Sequence, residues 1–275
     1  MMHARLGGVL AVMLLVTAPG ASSAQVLSAK DGPIVYGHHH LNVGNIEEHK
    51  KFWIEALGGV PANVEGFPGD VVKFPGVLVM LRQQKPTGGT KGTSVSNIGF
   101  QVPNLQAMVA RLSKMGYPSM MQSATANMPV PSAMVMGPDQ IAIEIDENKG
   151  QAQPISLHHV QLFTPDVAAT QAWYVKVFGA RPGKSGALEA AGLPGVTLRF
   201  AKSEGPVTTT TGAALDHLGF EIDNLKAFVD ALEAKGVKPS RPYAAFGAFK
   251  LGFTFITDPW GTSIELNEGL DRIFP

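Results

Sequence analysis

The chain repeats itself at a spacing of about 120 residues, and this repeat constrains the fold more than any other feature of the sequence. In the longest match, histidines open a strand and a helix then carries an aromatic pair before a glycine. Four pairs of segments match in the same order along the chain: 37–59 with 157–180, 75–82 with 194–201, 104–118 with 224–239, and 136–148 with 257–269. This order indicates an internal duplication.

Each half divides again into two units of similar pattern. A strand, a helix and then two or three strands are predicted four times, at 34–82, 95–146, 155–201 and 215–267. A glycine follows each helical pattern, as is usual at a helix C-terminus, at Gly58, Gly116, Gly179 and Gly236. The short strands alternate polar and apolar residues, which favours a sheet packed on one face only. The sequence therefore predicts an α+β fold of four βαβββ modules.

The order of these modules predicts two tandem domains. We expect modules 1 and 2 to form a first domain at 33–148, and modules 3 and 4 to form a second domain at 154–269. The polar segment NKGQAQP at 148–154 reads as the linker between them.

The N-terminal segment 1–24 is interpreted as a signal peptide outside the fold. A short basic start is followed by the apolar run LGGVLAVMLLVTAP, and the small residues Ser22, Ser23 and Ala24 precede the expected cleavage point. The apolar run is shorter than the roughly 20 residues of a membrane-spanning helix. The protein is therefore expected to be exported, either periplasmic or secreted.

The composition favours a small, roughly neutral partner. The 275 residues contain 22 basic and 22 acidic side chains and no cysteine. A net charge of zero offers no large field for nucleic acid or an anionic membrane. We expect a small-molecule substrate, no nucleic acid, no membrane after signal cleavage, and a monomer or homodimer.

Three side chains in the second half suit a divalent metal. His159 and His217 each open a strand, and Glu265 lies in a strand that follows the turn Asp258-Pro259-Trp260-Gly261. Asp, Pro and Gly at these places are typical of a type I turn, which would fix the register of the strand with Glu265. Two imidazoles and one carboxylate can hold a divalent ion and leave positions open for substrate or oxygen.

Together these motifs resemble the vicinal oxygen chelate superfamily, which includes glyoxalase I, fosfomycin-resistance proteins, bleomycin-resistance proteins and extradiol dioxygenases. The shared pattern is a strand-opening His, an aromatic pair before Leu-Gly or Phe-Gly, then H-x-G-F and D-P-x-G-x-x-x-E, over about residues 34–268. The resemblance implies cupped mixed sheets and places the metal ligands at His159, His217 and Glu265. The ion is expected to be one divalent metal, Fe, Mn, Zn or Ni.

The first half departs from this pattern. Its matching positions are His38, Asn97 and Glu144, and spacing to the aromatic pair Phe52-Trp53 selects His38 rather than His40. Asn is a poor ligand for a first-row metal beside imidazole. We therefore expect a degenerate site there, with a structural role for the first half.

The second half departs from the extradiol enzymes as well. Phe255 stands where the resemblance calls for tyrosine, and the segment 246–252 contains no histidine. A fourth ligand of the glyoxalase type would fall at Arg199, which is not a carboxylate. The predicted site therefore has three protein ligands.

Three further residues are candidates for contact with substrate. Gln161 shares a strand face with His159 and can hydrogen-bond a substrate oxygen, or it is a half-buried polar strand residue. Arg199 can bind a carboxylate or phosphate, or it lies at the surface. Tyr243 is a candidate for the wall of an apolar groove.

Two function classes follow. The first is an exported, divalent-metal-dependent enzyme of the glyoxalase or dioxygenase type, which binds a small substrate through vicinal oxygens and carries out lyase, isomerase or dioxygenase chemistry. The second is a non-catalytic protein that binds or sequesters a small molecule, of the bleomycin-resistance type. The metal ligands discriminate between them.

Overall fold

The computed structural model describes residues 32–125 and 128–275, so the predicted signal peptide lies outside the described residues. All four predicted βαβββ modules are present in the predicted order. Their strands form two eight-stranded mixed sheets, which confirms the α+β class and the cupped sheets. Among the described residues, no helix has the length and apolar character that crossing a membrane demands.

The first sheet is built from modules 1 and 4. Its strands are β1 (Ile34–Val43), β2 (Val60–Pro61), β3 (Asp70–Phe74), β4 (Val77–Gln83), β13 (Leu215–Ile222), β14 (Arg241–Phe246), β15 (Leu251–Thr257) and β16 (Ser263–Glu268). They are arranged in the order β14-β15-β16-β13-β1-β4-β3-β2. The two modules join where β1 pairs with β13 in the antiparallel sense.

The second sheet is built from modules 2 and 3. Its strands are β5 (Val95–Val102), β6 (Ser119–Gln122), β7 (Ser132–Met136), β8 (Ala142–Glu147), β9 (Ser156–Thr164), β10 (Arg181–Ser185), β11 (Leu188–Leu193) and β12 (Val196–Lys202). Their order is β10-β11-β12-β9-β5-β8-β7-β6, and β5 pairs with β9 in the antiparallel sense.

This pairing corrects the expected grouping of modules into sheets. The tandem boundaries 33–148 and 154–269 group modules 1 with 2 and 3 with 4, whereas each sheet joins one module from either half. The physical reason is that every module leaves one edge of its first strand open, and the repeat makes those four edges alike. The loops at 84–94 and 203–214 run side by side between the sheets, where Thr93 bridges Thr208.

The module helices end near the glycines that the sequence predicts. They are α1 (Ile46–Lys50, continued by a π-helical turn, Lys51–Ala56), α2 (Leu105–Lys114), α3 (Val167–Phe178) and α4 (Leu225–Ala234). In each module an Asn or Asp caps the helix by accepting backbone N–H groups of the first turn: Asn45, Asn104, Asp166 and Asn224. The predicted glycines beyond the helices have positive φ angles: Gly58, Gly116, Gly179 and Gly236.

The hydrophobic core joins the helices to the inner faces of both sheets. Trp53 on the first helix contacts Phe100 on β5, and Phe178 at the end of α3 stacks on Phe220 of β13. These contacts link consecutive modules that belong to different sheets, so the two sheets share one hydrophobic core. The opposite faces of the sheets remain free for a binding site.

The turn that precedes β16 has the predicted form. The N–H of Gly261 donates to the carbonyl of Asp258 at 3.1 Å, and the Asp258 carboxylate accepts the N–H groups of Trp260 and Thr262. Tyr174 of α3 donates its hydroxyl to the same carboxylate at 2.9 Å. The register of β16, which carries Glu265, is thus fixed by the turn and by a helix.

A buried carboxylate near the C-terminus anchors the last helix, α5 (Leu270–Ile273). Glu221 on β13 is 2 % exposed and accepts the backbone N–H groups of Gly269 and Leu270. Burial raises the pKa of Glu221 to about 7, because removal of water penalises the charged form more than the two backbone donors stabilise it.

Glu221 therefore makes the stability depend on pH. Since the pKa is raised from about 4.5 to about 7, the contribution is fully present below pH 4.5 and is lost as the pH rises towards 7. The free energy of unfolding, measured by urea denaturation, is expected to fall by up to about 3 kcal/mol over this range. Glu221→Gln should remove most of that slope, whereas the exposed Glu233→Gln should not. An unchanged slope in Glu221→Gln would contradict this account.

Candidate metal centre

Four potential metal ligands meet on the outer, concave face of the first sheet, which we call the first cup. His38 and His40 lie on β1, His217 on β13 and Glu265 on β16, and one ligand atom from each lies within 4.8 Å of the others. Strand register produces this cluster: Gly219 lies opposite both His38 and Glu265, and His40 lies opposite His217. The neighbouring strands thus bring distant parts of the chain together.

Glu265 accepts hydrogen bonds from two of these imidazoles. Its Oε2 lies 2.8 Å from Nε2 of His217 and 3.3 Å from Nε2 of His38. Burial acts to raise the pKa of Glu265, but the hydrogen bonds to His217 and His38 are stronger and hold that pKa well below its usual range. The cluster therefore contains an ionised carboxylate.

Asp216 orients the imidazole of His217 by binding the ring nitrogen that does not face Glu265. Its Oδ1 lies 2.6 Å from Nδ1 of His217, while Oδ2 accepts the side-chain amide of Asn42 and the N–H of Gly212. A carboxylate that fixes one ring nitrogen directs the other towards a metal, as in carboxylate–histidine–metal arrangements. Burial lowers the pKa of His217, but the hydrogen bonds to Asp216 and Glu265 outweigh it and raise that pKa. A bound cation would thus replace a proton.

Two donor atoms in the first cup have no partner among the described residues. Nδ1 of His38 and Nε2 of His40 are buried and make no hydrogen bond. Burial lowers the pKa of both imidazoles, so they are neutral at neutral pH and keep a free electron pair. Buried donors without partners, beside an ionised carboxylate, fit a divalent cation.

A glycine makes room for the first of these histidines. A Cβ on Gly219 would lie 2.0 Å from the ring of His38, and the equivalent Gly99 would place a Cβ 1.9 Å from the ring of His159. The imidazole therefore lies flat across the neighbouring strand only because no side chain projects there.

The structure corrects the predicted ligand set. His217 and Glu265 come together as expected, but His159 lies on β9 in the second sheet, and His38 occupies the corresponding place beside them. The prediction assumed that modules 3 and 4 share a sheet. The sequence match had shown that His38 and His159 are counterparts, but not which of them joins His217. The third ligand changes from His159 to His38, and His40 adds a fourth candidate.

The second sheet carries the counterpart of this site, which we call the second cup. Here His159, Asn97 and Glu144 occupy the positions of His38, His217 and Glu265, as the registers of β5, β8 and β9 show. The Asn97 amide donates to Glu144 at 3.1 Å, and Nε2 of His159 lies 3.2 Å from the same oxygen. The expected degenerate set, His38, Asn97 and Glu144, is thus divided between the cups.

Arg199 supplies a positive charge inside the second cup. Its guanidinium lies 2.9 Å from Asp146, 3.1 Å from Nε2 of His159 and 3.5 Å from Glu144, and its side chain is 3 % exposed. Ser185 accepts a further hydrogen bond at 2.9 Å. In the first cup the equivalent position on β4 is Met80. The guanidinium thus offsets the charge of Asp146 and Glu144. Beside it, Asp146, His158 and His159 form a second group of potential ligands whose ligand atoms lie within 4.8 Å of one another.

The other predicted substrate contacts do not lie in the first cup. Gln161 occupies the second cup at the position of His40 and lines a cavity of about 670 Å³ with Met134 and Phe163. Arg199 is buried as described above, not at the surface. Tyr243 lies on β14 and is 54 % exposed, and it does not line the cavities described here.

Two cavities flank the metal-ligand group of the first cup. One, of about 350 Å³, is mainly apolar and is lined by Phe67, Met80, Phe246, Leu251, Phe253 and Leu270. The other, also about 350 Å³, is more polar and is lined by Arg82, Thr211, Ser240, Arg241, Thr257 and Ser263. His40, Phe253 and Glu265 line both, so the candidate ligands lie between an apolar and a polar compartment.

The twin glycines provide a matched test of the histidine placement. Gly219→Ala and Gly99→Ala both force an imidazole to move, so each is expected to lower the free energy of unfolding by about 1 to 3 kcal/mol. Only Gly219→Ala should abolish zinc binding, because only His38 belongs to the first cup. Zinc titration by calorimetry measures this, and equal zinc binding in the two folded variants would refute the assignment.

Arg199 provides a test of the second cup. Arg199→Met copies the residue of the first cup and leaves Glu144 and Asp146 without their cation, which should lower the melting temperature in chelator. Zinc should restore it and bind with one more equivalent per chain than in wild type. Arg199→Lys, which keeps the charge, should gain no equivalent. A gain in Arg199→Lys, or none in Arg199→Met, would show that the guanidinium does not exclude the ion.

Comparisons with known proteins agree with this geometry. Residues 156–266 match the family model of the Glyoxalase/Bleomycin resistance protein/Dioxygenase superfamily. No curated protein sequence matches the chain.

Solved structures show the same fold over most of both chains. Glyoxalase I from Zea mays is 15 % identical with a TM-score of 0.70, and the alignment covers 87 % of this chain and 94 % of the maize chain. A Bacillus subtilis protein named as a candidate dioxygenase is 14 % identical with a TM-score of 0.66, and covers 86 % of this chain and 85 % of that one. Residues 156–266 thus match the model of this superfamily, and the chain shares its fold with these solved structures.

Proposed function

We propose that the protein is a divalent-metal-dependent enzyme whose centre is the first cup, with His38, His217 and Glu265 as metal ligands. The observation that carries this proposal is the buried cluster itself: an ionised carboxylate and imidazoles whose ligand atoms lie within 4.8 Å, with His217 oriented by Asp216. Two imidazoles and one carboxylate leave coordination positions open for a substrate.

The second cup supports the proposal by contrast. Asn97 replaces His217 there, and the guanidinium of Arg199 already neutralises the carboxylates. Among the described residues no Lys or Arg lies within 4 Å of Glu265 in the first cup, whereas Arg199 lies 3.5 Å from Glu144 in the second.

The cavities suggest how a small substrate would lie. Two neighbouring oxygens of the substrate would face the ligand group between the apolar and polar cavities, and Phe253 borders both. A bound divalent ion supplies Lewis acidity, which stabilises negative charge that develops on such oxygens. The protein orients the substrate and keeps water from the apolar side.

We assign to His40 the role of proton acceptor. Its ring stacks on His217 with centroids 4.5 Å apart, and its buried Nε2 has no partner among the described residues. Because burial lowers its pKa well below the usual value, the imidazole is neutral and can take a proton from a substrate held beside it. This favours lyase or isomerase chemistry.

Dioxygenase chemistry is the second candidate. Phe255 occupies the position where extradiol enzymes are expected to carry tyrosine, and its ring packs against His217 with centroids 5.1 Å apart. A phenyl ring can neither donate nor accept a proton there. The first cup therefore favours proton transfer on the substrate over ring cleavage.

Metal analysis of the purified protein, prepared without a histidine tag, tests the proposal. One divalent ion per chain is expected in wild type, and His38→Ala, His217→Ala and Glu265→Ala should each lower the stoichiometry to below about 0.1. His159→Ala is the matched control in the second cup and should keep the ion. His40→Gln, which copies Gln161, should also keep it. Iron would favour oxygen chemistry, and zinc or nickel would favour the lyase or isomerase assignment.

The opposite result would favour the binding class. If wild type takes up no metal and His217→Ala binds small molecules as wild type does, the protein is a binding or sequestering protein of the bleomycin-resistance type. We also propose that the protein is exported. Mass spectrometry of the native protein should then find an N-terminus at Gln25, and an intact Met1 would contradict export.

A further inference from the structure

The polar cavity beside the first cup contains an arginine with no acidic partner. Arg241 on β14 lies within 4 Å of no carboxylate among the described residues, whereas Arg82 across the cavity lies 3.6 Å from Asp216 and donates to Asn42. Arg82 therefore supports the residues behind His217. Arg241 is exposed, so its hydrogen-bond donors face water and are available to another group.

Ring contacts hold Arg241 on the side of the candidate ligands. Its guanidinium carbon lies 4.6 Å from the centroid of the Phe255 ring, a cation–π contact. That ring packs edge-on against His217, which stacks on His40. A continuous row of contacts thus runs from His40 through the rings of His217 and Phe255 to the guanidinium.

Strand register gives the span between the cation and the ligands. Arg241 pairs with Phe255 and Phe255 pairs with Glu265, so the backbones of Arg241 and Glu265 are two strands, or about 10 Å, apart. A side chain and a small substrate can bridge this span.

The charges of the polar cavity favour an anion once the ion is bound. Arg82 and Arg241 balance Asp216 and Glu265, so these four side chains sum to zero. A divalent cation would leave an excess of two positive charges in a partly buried cavity. The opposite cavity is apolar and offers Phe67, Leu251 and Leu270.

We propose that the substrate of the first cup carries its pair of vicinal oxygens between two different arms. One arm is apolar, preferably aromatic, and occupies the apolar cavity. The other arm ends in a carboxylate, which the guanidinium of Arg241 binds through charge-assisted hydrogen bonds. This inference rests on the proposed function, because the ion must hold the oxygen pair in the middle.

The duplicate shows that this arrangement belongs to the first cup alone. At the positions of Phe255 and Arg241 the second cup has Met134 and Met120. Neither residue offers a hydrogen bond to an anion. An arginine at this position is therefore a feature of the first cup and not of the repeated module.

Calorimetry with the zinc-loaded protein tests the carboxylate arm. The probes are 2-benzylmalate, whose hydroxyl and adjacent carboxylate form the oxygen pair, and its C4 monoamide, which lacks only the distal charge. Wild type is expected to bind the acid at least about ten-fold more tightly than the amide. In Arg241→Gln this ratio should fall to about one, while Arg181→Gln, an exposed arginine of the second sheet, should keep it. Replacement of benzyl by methyl should weaken binding to wild type about ten-fold or more.

The outcomes separate this inference from the proposed function. Zinc binding is titrated first, with no probe present. If zinc binds but acid and amide bind equally, or if Arg241→Gln discriminates as wild type does, the carboxylate arm is wrong and the metal centre stands. If zinc does not bind to the wild-type protein, the proposed function fails and this inference fails with it.

Discussion

The antiparallel pairing of β1 with β13 is the contact on which the rest of the site depends. It brings His38 and His40 from the start of the fold beside His217, which lies almost 180 residues later. The parallel pairing of β13 with β16 then adds Glu265. Because a strand shifted by one residue turns its side chains to the other face, this register decides whether the four donors share the concave face or are separated. The glycine opposite His38 makes the same register possible for a bulky ring.

The two cups share one scaffold but differ in the charged side chains around the glutamate. Both retain a strand-opening histidine, the glycine beneath it and a glutamate. In the second cup the guanidinium of Arg199 lies 2.9 Å from Asp146 and 3.5 Å from Glu144, so the chain itself supplies a cation. In the first cup Met80 contributes no charge, and the donor atoms of His38 and His40 remain without partners. The two cups thus differ at three positions, with His217, His40 and Met80 in the first and Asn97, Gln161 and Arg199 in the second.

Much of the fold follows from local signals in the sequence. Asn104 and Gly116 mark the two ends of α2, and Asp258 with Gly261 marks the turn before β16, because capping and turn formation depend on residues a few positions apart. The repeat itself revealed the modules and singled out His217 against Asn97. The position of Glu265 in the repeated unit placed it near His217, as the structure shows.

The local sequence does not determine whether His38 or His159 joins His217 and Glu265. It depends on which modules pair through their first strands. The free edges of these four strands are so similar that the sequence does not specify their partners. The supporting role of Asp216 was also missed, although its position next to His217 was visible. Whether a neighbouring carboxylate binds the ring depends on backbone conformation, which places Oδ1 2.6 Å from the ring nitrogen. Arg199 was noticed as a cation, but its burial among Asp146 and Glu144 requires the second sheet to be known.

The nested order of the modules has a consequence for synthesis of the chain. Modules 2 and 3 are contiguous, so the second sheet can close while the ribosome is still producing the C-terminal part. The first sheet needs both module 1 and module 4, and Glu265 lies on β16, the last strand of module 4. A polypeptide that stops before β16 retains the whole second cup but lacks the carboxylate of the first. The candidate ligand cluster therefore becomes complete only after β16 has been translated, and a chain truncated before β16 would not assemble it.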